Sequence, residues 1–212
     1  MNRPVVVIGA GGHAKVVVDA LLLLGAELLC LTDTDSAKHG TSVLGVPVLG
    51  DDSLLTDYPP GSVDLAMGVG SARVSPSRRR IFEQMKRMGY NFRTLIHPGA
   101  LIGREVLLGE GCQVMAGAVI QAGSALGMNV LVNTRASVDH DCRIGDHAHV
   151  GPGAVLGGDV TLGADCHIGC GAALIHGVQL GCGVQVGAGA AVISHCNDET
   201  IVLGVPGKEL VR

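Results

Sequence analysis

From residue 95 to residue 196 the chain divides into seventeen consecutive blocks of six without an insertion: LIHPGA, LIGREV, LLGEGC, QVMAGA, VIQAGS, ALGMNV, LVNTRA, SVDHDC, RIGDHA, HVGPGA, VLGGDV, TLGADC, HIGCGA, ALIHGV, QLGCGV, QVGAGA and AVISHC. The second position of every block is Ile, Leu or Val, the sixth is Ala, Val, Cys or Ser, and the third is Gly in ten. A helix of ~3.6 residues per turn cannot hold one face at period six, and a plain strand alternates at period two. Period six with one aliphatic and one small inward residue describes short strands joined by tight corners. Three such sides close a coil of 18 residues, and coils stack at the strand spacing of ~4.8 Å. Each coil buries its aliphatic residues only against its neighbours. The repeat therefore predicts a parallel β-helix prism of between five and six coils. Gly at the third position is expected to serve a corner that needs unusual φ and ψ.

Composition separates this half from the first. The four aromatic residues, Tyr58, Phe82, Tyr90 and Phe92, all precede the repeat, so two differently built regions are expected, 1–92 and 93–212. Gly is 33 of 212, about twice the usual share, yet no collagen period appears. A hydrophobic fraction of 47% and a mean hydropathy of +0.42 support a packed core and exclude wholesale disorder. The longest apolar stretch, 14–31, is broken by Lys15, Asp19 and Glu27, so no membrane span is expected. Val5 to Ile8 runs straight into a glycine loop, and no secretory leader is read there. A net charge of −4 and a pI near 6.1 leave no basic stripe for nucleic acid. Seven Cys with no CxxC pair fit a reduced, cytoplasmic protein.

The first half reads as a small parallel α/β unit. Residues 4–8 form a buried strand, followed by Gly9-Ala10-Gly11-Gly12-His13 and a helical run closing at Gly25. Further strands are expected at 28–31, ending on Thr32-Asp33, and at 63–69, with Gly70-Ser71 at its end. Ser75 and Pro76 start a second helix that Gly89 ends. The glycine loop resembles GxGxxG, with Ala14 in place of the last Gly, and backbone N–H groups at such a helix start favour a phosphate. Asp33 follows Gly9 by 24 residues, where a carboxylate that reads a ribose or base often sits. About 90 residues are too few for a complete two-half NAD domain, so a nucleotide or nucleotide-sugar is the better ligand. A plain tight βα turn is the bland alternative. Arg78-Arg79-Arg80 is read as the solvated side of its helix.

The register sorts the reactive side chains. Cys112, Cys142, Cys166 and Cys196 take the inward sixth position and are read as core filler. Cys142 lies near His140 but should point inward, and Cys170 and Cys182 sit at corners without zinc-ligand spacing. His140 and His176 share the fourth position 36 residues apart, hence one edge of the prism, two coils or ~9.6 Å apart. His149 and His167 share the first position in adjacent coils. His147, His167 and His195 are read as surface residues. His140, flanked by Asp139 and Asp141, is the candidate general base, with a carboxylate to hold its tautomer and stabilise the imidazolium. Acyl transfer from a thioester to an amine asks for little more.

With GAGGHAKVVVDA, the hexads, VNTRASVDHDCRIGDHAHVGPGA and the closing LGVPGK together, the sequence resembles the PglD/NeuD group of sugar acyltransferases. The resemblance implies a small Rossmann-like nucleotide-binding domain followed by a left-handed parallel β-helix. It implies a homotrimer, acetyl-CoA as co-substrate bound between subunits, a nucleotide-linked amino sugar as acceptor, and no metal. It places His140 as general base, with Asp141 where relatives commonly have Glu; the shorter arm would let Asp139 share the role. It places Gly9, Gly11, Gly12, His13, Asp33, Ser71 and Asn133 on the acceptor side. His149, Gly158, Cys170, Gly187, Pro206 and Lys208 fall on the acetyl-CoA side, with Gly207 where Ala is usual. The expected chemistry is N-acetylation of the sugar amine, at C4, by direct transfer. O-acetylation of a sialic acid is the alternative within the family. A γ-carbonic-anhydrase-like zinc enzyme would need a second His about five residues after His176, where Gly181 stands. A non-catalytic scaffold and a nicotinamide enzyme are the remaining rivals.

Overall fold

Four consecutive apolar residues, Val5–Ile8, form strand β1, and all four are buried. Such a run belongs in the middle of a parallel sheet covered on both faces. In the computed structural model of the protein, which describes residues 3–70 and 76–209, β1 pairs in parallel with β2 (Leu28–Thr32) on one side. On its other side it pairs in parallel with a strand at Asp64–Met67. Helix α1, Gly12–Leu23, buries Ala14, Val17, Val18 and Leu21 at the spacing of a single helix face. Gly25, at φ +66, terminates it.

The first unit holds more strands than the sequence led one to expect. A hairpin of β3 (Ser42–Val43) and β4 (Val46–Gly50) turns through Leu44 and Gly45, both at positive φ. It extends the sheet beyond β2, and with β5 at Asp64–Met67 the order is β3-β4-β2-β1-β5. Pro47 faces out while Val46 and Val48 are buried, which lets a proline sit in a strand without facing the core. Helix α2, Pro76–Arg87, brings Phe82 and Met85 into the core, where Phe82 stacks on Phe92 with centroids 4.5 Å apart. Tyr90 donates from its hydroxyl to the Leu55 carbonyl at 2.8 Å. The described residues divide into two compact units, 3–70 with 76–98, and 99–209.

The second unit is the left-handed β-helix. Its two-residue strands occupy the first two positions of each block, and from Val119–Ile120 to Ala173–Leu174 each pairs in parallel with the strands 18 residues before and after it. Ser137–Val138, for example, lies between Val119–Ile120 and Val155–Leu156. One face carries these strands; the second carries Ala125–Leu126, Arg143–Ile144 and Thr161–Leu162. The third carries Leu131–Val132, His149–Val150 and His167–Ile168, and continues into Ile201–Leu203 and an antiparallel Lys208–Glu209. Aliphatic second positions from Val114 to Val192 are buried, as are the sixth positions Cys112, Ala136, Cys142 and Ala154.

The third-position glycines serve a different purpose from the one expected. Positive φ falls on the fifth residue of each block from 101–106 to 185–190, in Asp141, Asn129 and Arg135 as well as in Gly. The third-position glycines are not in that region. A Cβ on Gly103 would lie 2.5 Å from the Ala122 nitrogen, and one on Gly145 2.6 Å from the Ala164 nitrogen. These glycines let the backbone of the next coil come close, and the corner strain is carried two residues later.

Candidate active site

His140 sits at a corner between two faces of the prism, between strands Ser137–Val138 and Arg143–Ile144. Its ring is tied by Nδ1 to the Asp141 carboxylate at 2.9 Å. Asp139 takes a different part: its Oδ1 accepts the backbone N–H of His140 at 2.8 Å. The His140 side chain is 54% exposed, so Nε2 is accessible. The hydrogen bond to Asp141 raises the imidazole pKa above its ordinary value; burial opposes this, and the charges of Asp139, Asp141 and Asp159 add to the rise. The pair is a base whose conjugate acid is stabilised in place.

Gly158 stands one coil on, at the same corner position. A Cβ there would meet Nε2 and Cε1 of His140 at 2.5 and 2.6 Å. The missing side chain is the space into which the ring leans. His176, a further coil along, has its ring centroid 6.1 Å from that of His140. Stacking two coils apart predicts ~9.6 Å; with no side chain on Gly158 between them, the rings close that distance.

A second polar group lies on the next edge of the prism. Asn133 Oδ1 accepts the Thr134 backbone N–H at 2.8 Å, and Asn133 Nδ2 meets His149 Nε2 at 3.1 Å. His149 is buried, and its ring stands edge-on to that of His167, with centroids 4.8 Å apart and an interplanar angle of 86°. His167, read from the sequence as a surface residue, is partly buried, and burial lowers its pKa. Cys170 is exposed at the same edge, two coils after Thr134. A Cβ on Gly187 would run into the Leu203 side chain, and one on Gly207 would lie 2.7 Å from Val202 Cγ1 and 2.8 Å from the Ala191 carbonyl oxygen, so neither position has room for a side chain as it stands. Pro206 follows a cis peptide bond, and Lys208 is exposed on the terminal strand.

The glycine loop of the first unit is braced from behind. Gly9, at φ +93, has no room for a Cβ against Val69, and Gly70 packs on the His13 side chain. Gly11 precedes α1 without a side-chain cap, and Gly11 and Gly12 are exposed with open space where a Cβ would be. Asp33 accepts from Ala10 N at 2.8 Å, Asp35 N at 2.9 Å and Lys38 Nζ at 2.8 Å. Burial pushes this carboxyl up, but the contacts from Lys38, Asp35 and Ala10 outweigh it and hold the pKa below the ordinary value. Lys38 was not singled out from the sequence; its signal is a cation three residues after Asp35, which caps the short 3-10 turn Ser36–Lys38. Ser71 lies outside the described residues.

The structure thus brings His140, Asp141, Gly158 and His176 to one edge, Asn133, His149 and Cys170 to another, and His13, the glycine loop and Asp33 to the first unit. Cys142 points inward, with its Sγ donating to the Gly157 carbonyl at 3.3 Å and its pKa raised by burial, which removes it as a nucleophile. Among the described residues no three His, Cys, Asp or Glu side chains are grouped to hold a metal ion, and no helix is long and apolar enough to cross a membrane.

Residues 4–85 match the family described as the PglD N-terminal domain, and residues 123–158 match the bacterial transferase hexapeptide of six repeats. The structure of PerB from Caulobacter crescentus in complex with CoA and GDP-perosamine is 38% identical, with 98% of this chain and 97% of that one covered and a TM-score of 0.89. The chain belongs to the PglD-like family of sugar acyltransferases. A second PglD-like relative, the acetyltransferase domain of PglB from Neisseria gonorrhoeae in complex with acetyl coenzyme A, is 40% identical over 99% of this chain and 100% of its own, with a TM-score of 0.91. WeeI from Acinetobacter baumannii, 24% identical over 99% of this chain and all of its own with a TM-score of 0.86, shares the fold. Like the family, this chain is an acyltransferase.

Proposed function

We propose that the protein transfers the acetyl group of acetyl-CoA to the C4 amine of a nucleotide-linked amino sugar, directly and without an acyl-enzyme. The observation that carries this is the pair formed by His140 Nδ1 and Asp141 Oδ2, with Nε2 accessible beside the empty side of Gly158. The amine nitrogen attacks the thioester carbonyl carbon, and His140 Nε2 takes the ammonium proton as the C–N bond forms. A backbone N–H at the corner stabilises the oxyanion. The tetrahedral intermediate then expels the CoA sulfur as the C–S bond breaks, and the His140 proton passes to the thiolate. Asp141 stabilises the imidazolium between the two events.

The PerB complex with CoA and GDP-perosamine supports a nucleotide-linked amino sugar as acceptor. The exposed start of α1 and the loop braced by Asp33 are where its phosphates would lie. In the homotrimer that this reading includes, neighbouring copies would set unlike edges side by side, the His140 edge of one against the Asn133–His149 edge of the next. The same reading puts the protein in cytoplasmic glycan assembly.

The test is release of free thiol from acetyl-CoA with GDP-, UDP- and dTDP-linked 4-amino sugars, wild type beside His140→Ala. Turnover with one acceptor, amide formation, and loss of turnover in the variant are expected. Equal turnover in His140→Ala, or an alkali-labile ester as product, overturns the proposal.

A further inference from the structure

Of the seventeen sixth positions, Ser124 is the one that carries a hydroxyl. It is completely buried, in a slot that elsewhere holds Ala, Val or Cys. Its Oγ donates to the Asp139 carbonyl at 2.7 Å and accepts the Cys142 backbone N–H at 3.1 Å. Those two groups are the ends of the corner 139–142, so one hydroxyl spans the turn that presents His140 and Asp141. Several other corners are closed by the chain itself, from the sixth N–H to the third carbonyl, as in Ala136 to Asn133 at 3.0 Å and Ala154 to Gly151 at 3.1 Å.

The same bracket recurs in weaker form. Cys112, Cys142 and Cys166 donate from Sγ to the carbonyls of Gly127, Gly157 and Gly181 at 3.0, 3.3 and 3.0 Å, each 15 residues on, as Asp139 is from Ser124. A thiol is a weak donor and acceptor, whereas a hydroxyl is a full one. The His140 corner has reason to need the stronger bracket. Asp141 is held at φ +61, where a side chain costs energy, and the ring–carboxylate contact spans adjacent residues whose geometry follows the backbone.

We infer that Ser124 is a positioning residue for catalysis: it holds both ends of the corner and so fixes the His140–Asp141 pair. This rests on the assignment of His140 as the base. Ser124→Ala and Ser124→Val remove the bracket, and Val already fills this slot in five other blocks, which gives a folded variant without a hydroxyl. Ser124→Cys keeps a weaker bracket.

In steady-state assays Ser124→Val is expected to lower kcat by about tenfold or more, with KM for both substrates within about twofold. Ser124→Cys should recover most of that loss, and the acidic limb of the kcat profile in Ser124→Val should move to lower pH as the Asp141 contact loosens. In a His140→Ala background Ser124→Val should add no further loss. Wild-type kcat in Ser124→Val, absence of recovery in Ser124→Cys, or additive losses in the double variant overturn the inference. Full activity in His140→Ala alone instead overturns the assignment of the base.

Discussion

Nε2 of His140 lies 2.5 Å from the point where a Cβ on Gly158 would sit, although the two residues are 18 apart in the chain. One coil of the prism therefore shapes the working end of a side chain on another. Gly158 is not at positive φ, so Gly158→Ala strains no backbone and acts on the ring alone. Its kcat is expected to fall by about a hundredfold, the scale of a ~1 Å misplacement, while the melting temperature holds. Kinetics and a thermal melt on the same preparation check this; wild-type kcat would mean that the ring has another place to stand.

Asp141→Asn should move the pH profile. The hydrogen bond that Nδ1 donates to Asp141 is the largest cause of the raised His140 pKa, with burial opposing it. A general base works in its neutral form, so the rate rises with pH through that pKa. Removing the carboxylate charge lowers the pKa toward its ordinary value of about 6.5, and the acidic limb of kcat/KM shifts to lower pH. The plateau rate should fall as well, because the imidazolium loses its partner. A limb that stays in place would assign it to another group.

The amide of Asn133 has its orientation set by Thr134: Oδ1 accepts the Thr134 N–H, so Nδ2 is what faces His149 Nε2. A donor opposite Nε2 requires a lone pair there, which puts the His149 proton on Nδ1. Isotope-labelled imidazole nitrogens should show an unprotonated Nε2 for His149 by NMR, and Asn133→Asp, which presents only acceptors, should protonate it. A protonated Nε2 in the wild type would contradict this network.

The β-helix was legible because its period is a property of the chain: the inward rows that repeat in sequence are the rows that are buried. His140 was legible from its flanking acids at a corner position. Other features depend on contacts that no local pattern records. The β3–β4 hairpin hides because Leu44-Gly45 lacks the usual Asn-Gly signal and Pro47 argues against a strand. Lys38 meets Asp33 only when the Ser36–Lys38 turn folds back. Ser124 looks like one more small inward residue until Asp139 and Cys142 are seen on either side of it.

Two glycine substitutions separate the two roles that the hexad assigns to that residue. Gly145 occupies a third position, where a Cβ would lie 2.6 Å from both Gly163 C and Ala164 N; Gly153 occupies a fifth, at φ +66 with nothing within 4 Å. Gly145→Ala must push one coil off the next, an overpacking cost of roughly 1–3 kcal/mol. Gly153→Ala pays only for a left-handed backbone, about 1 kcal/mol, and the chain already places Arg135 and Asp141 in that conformation. At about 2–4 °C per kcal/mol for a chain of this size, Gly145→Ala should lower the melting temperature clearly more than Gly153→Ala. The reverse order would return the third-position glycines to a conformational role and leave the close approach of successive coils without an energetic consequence.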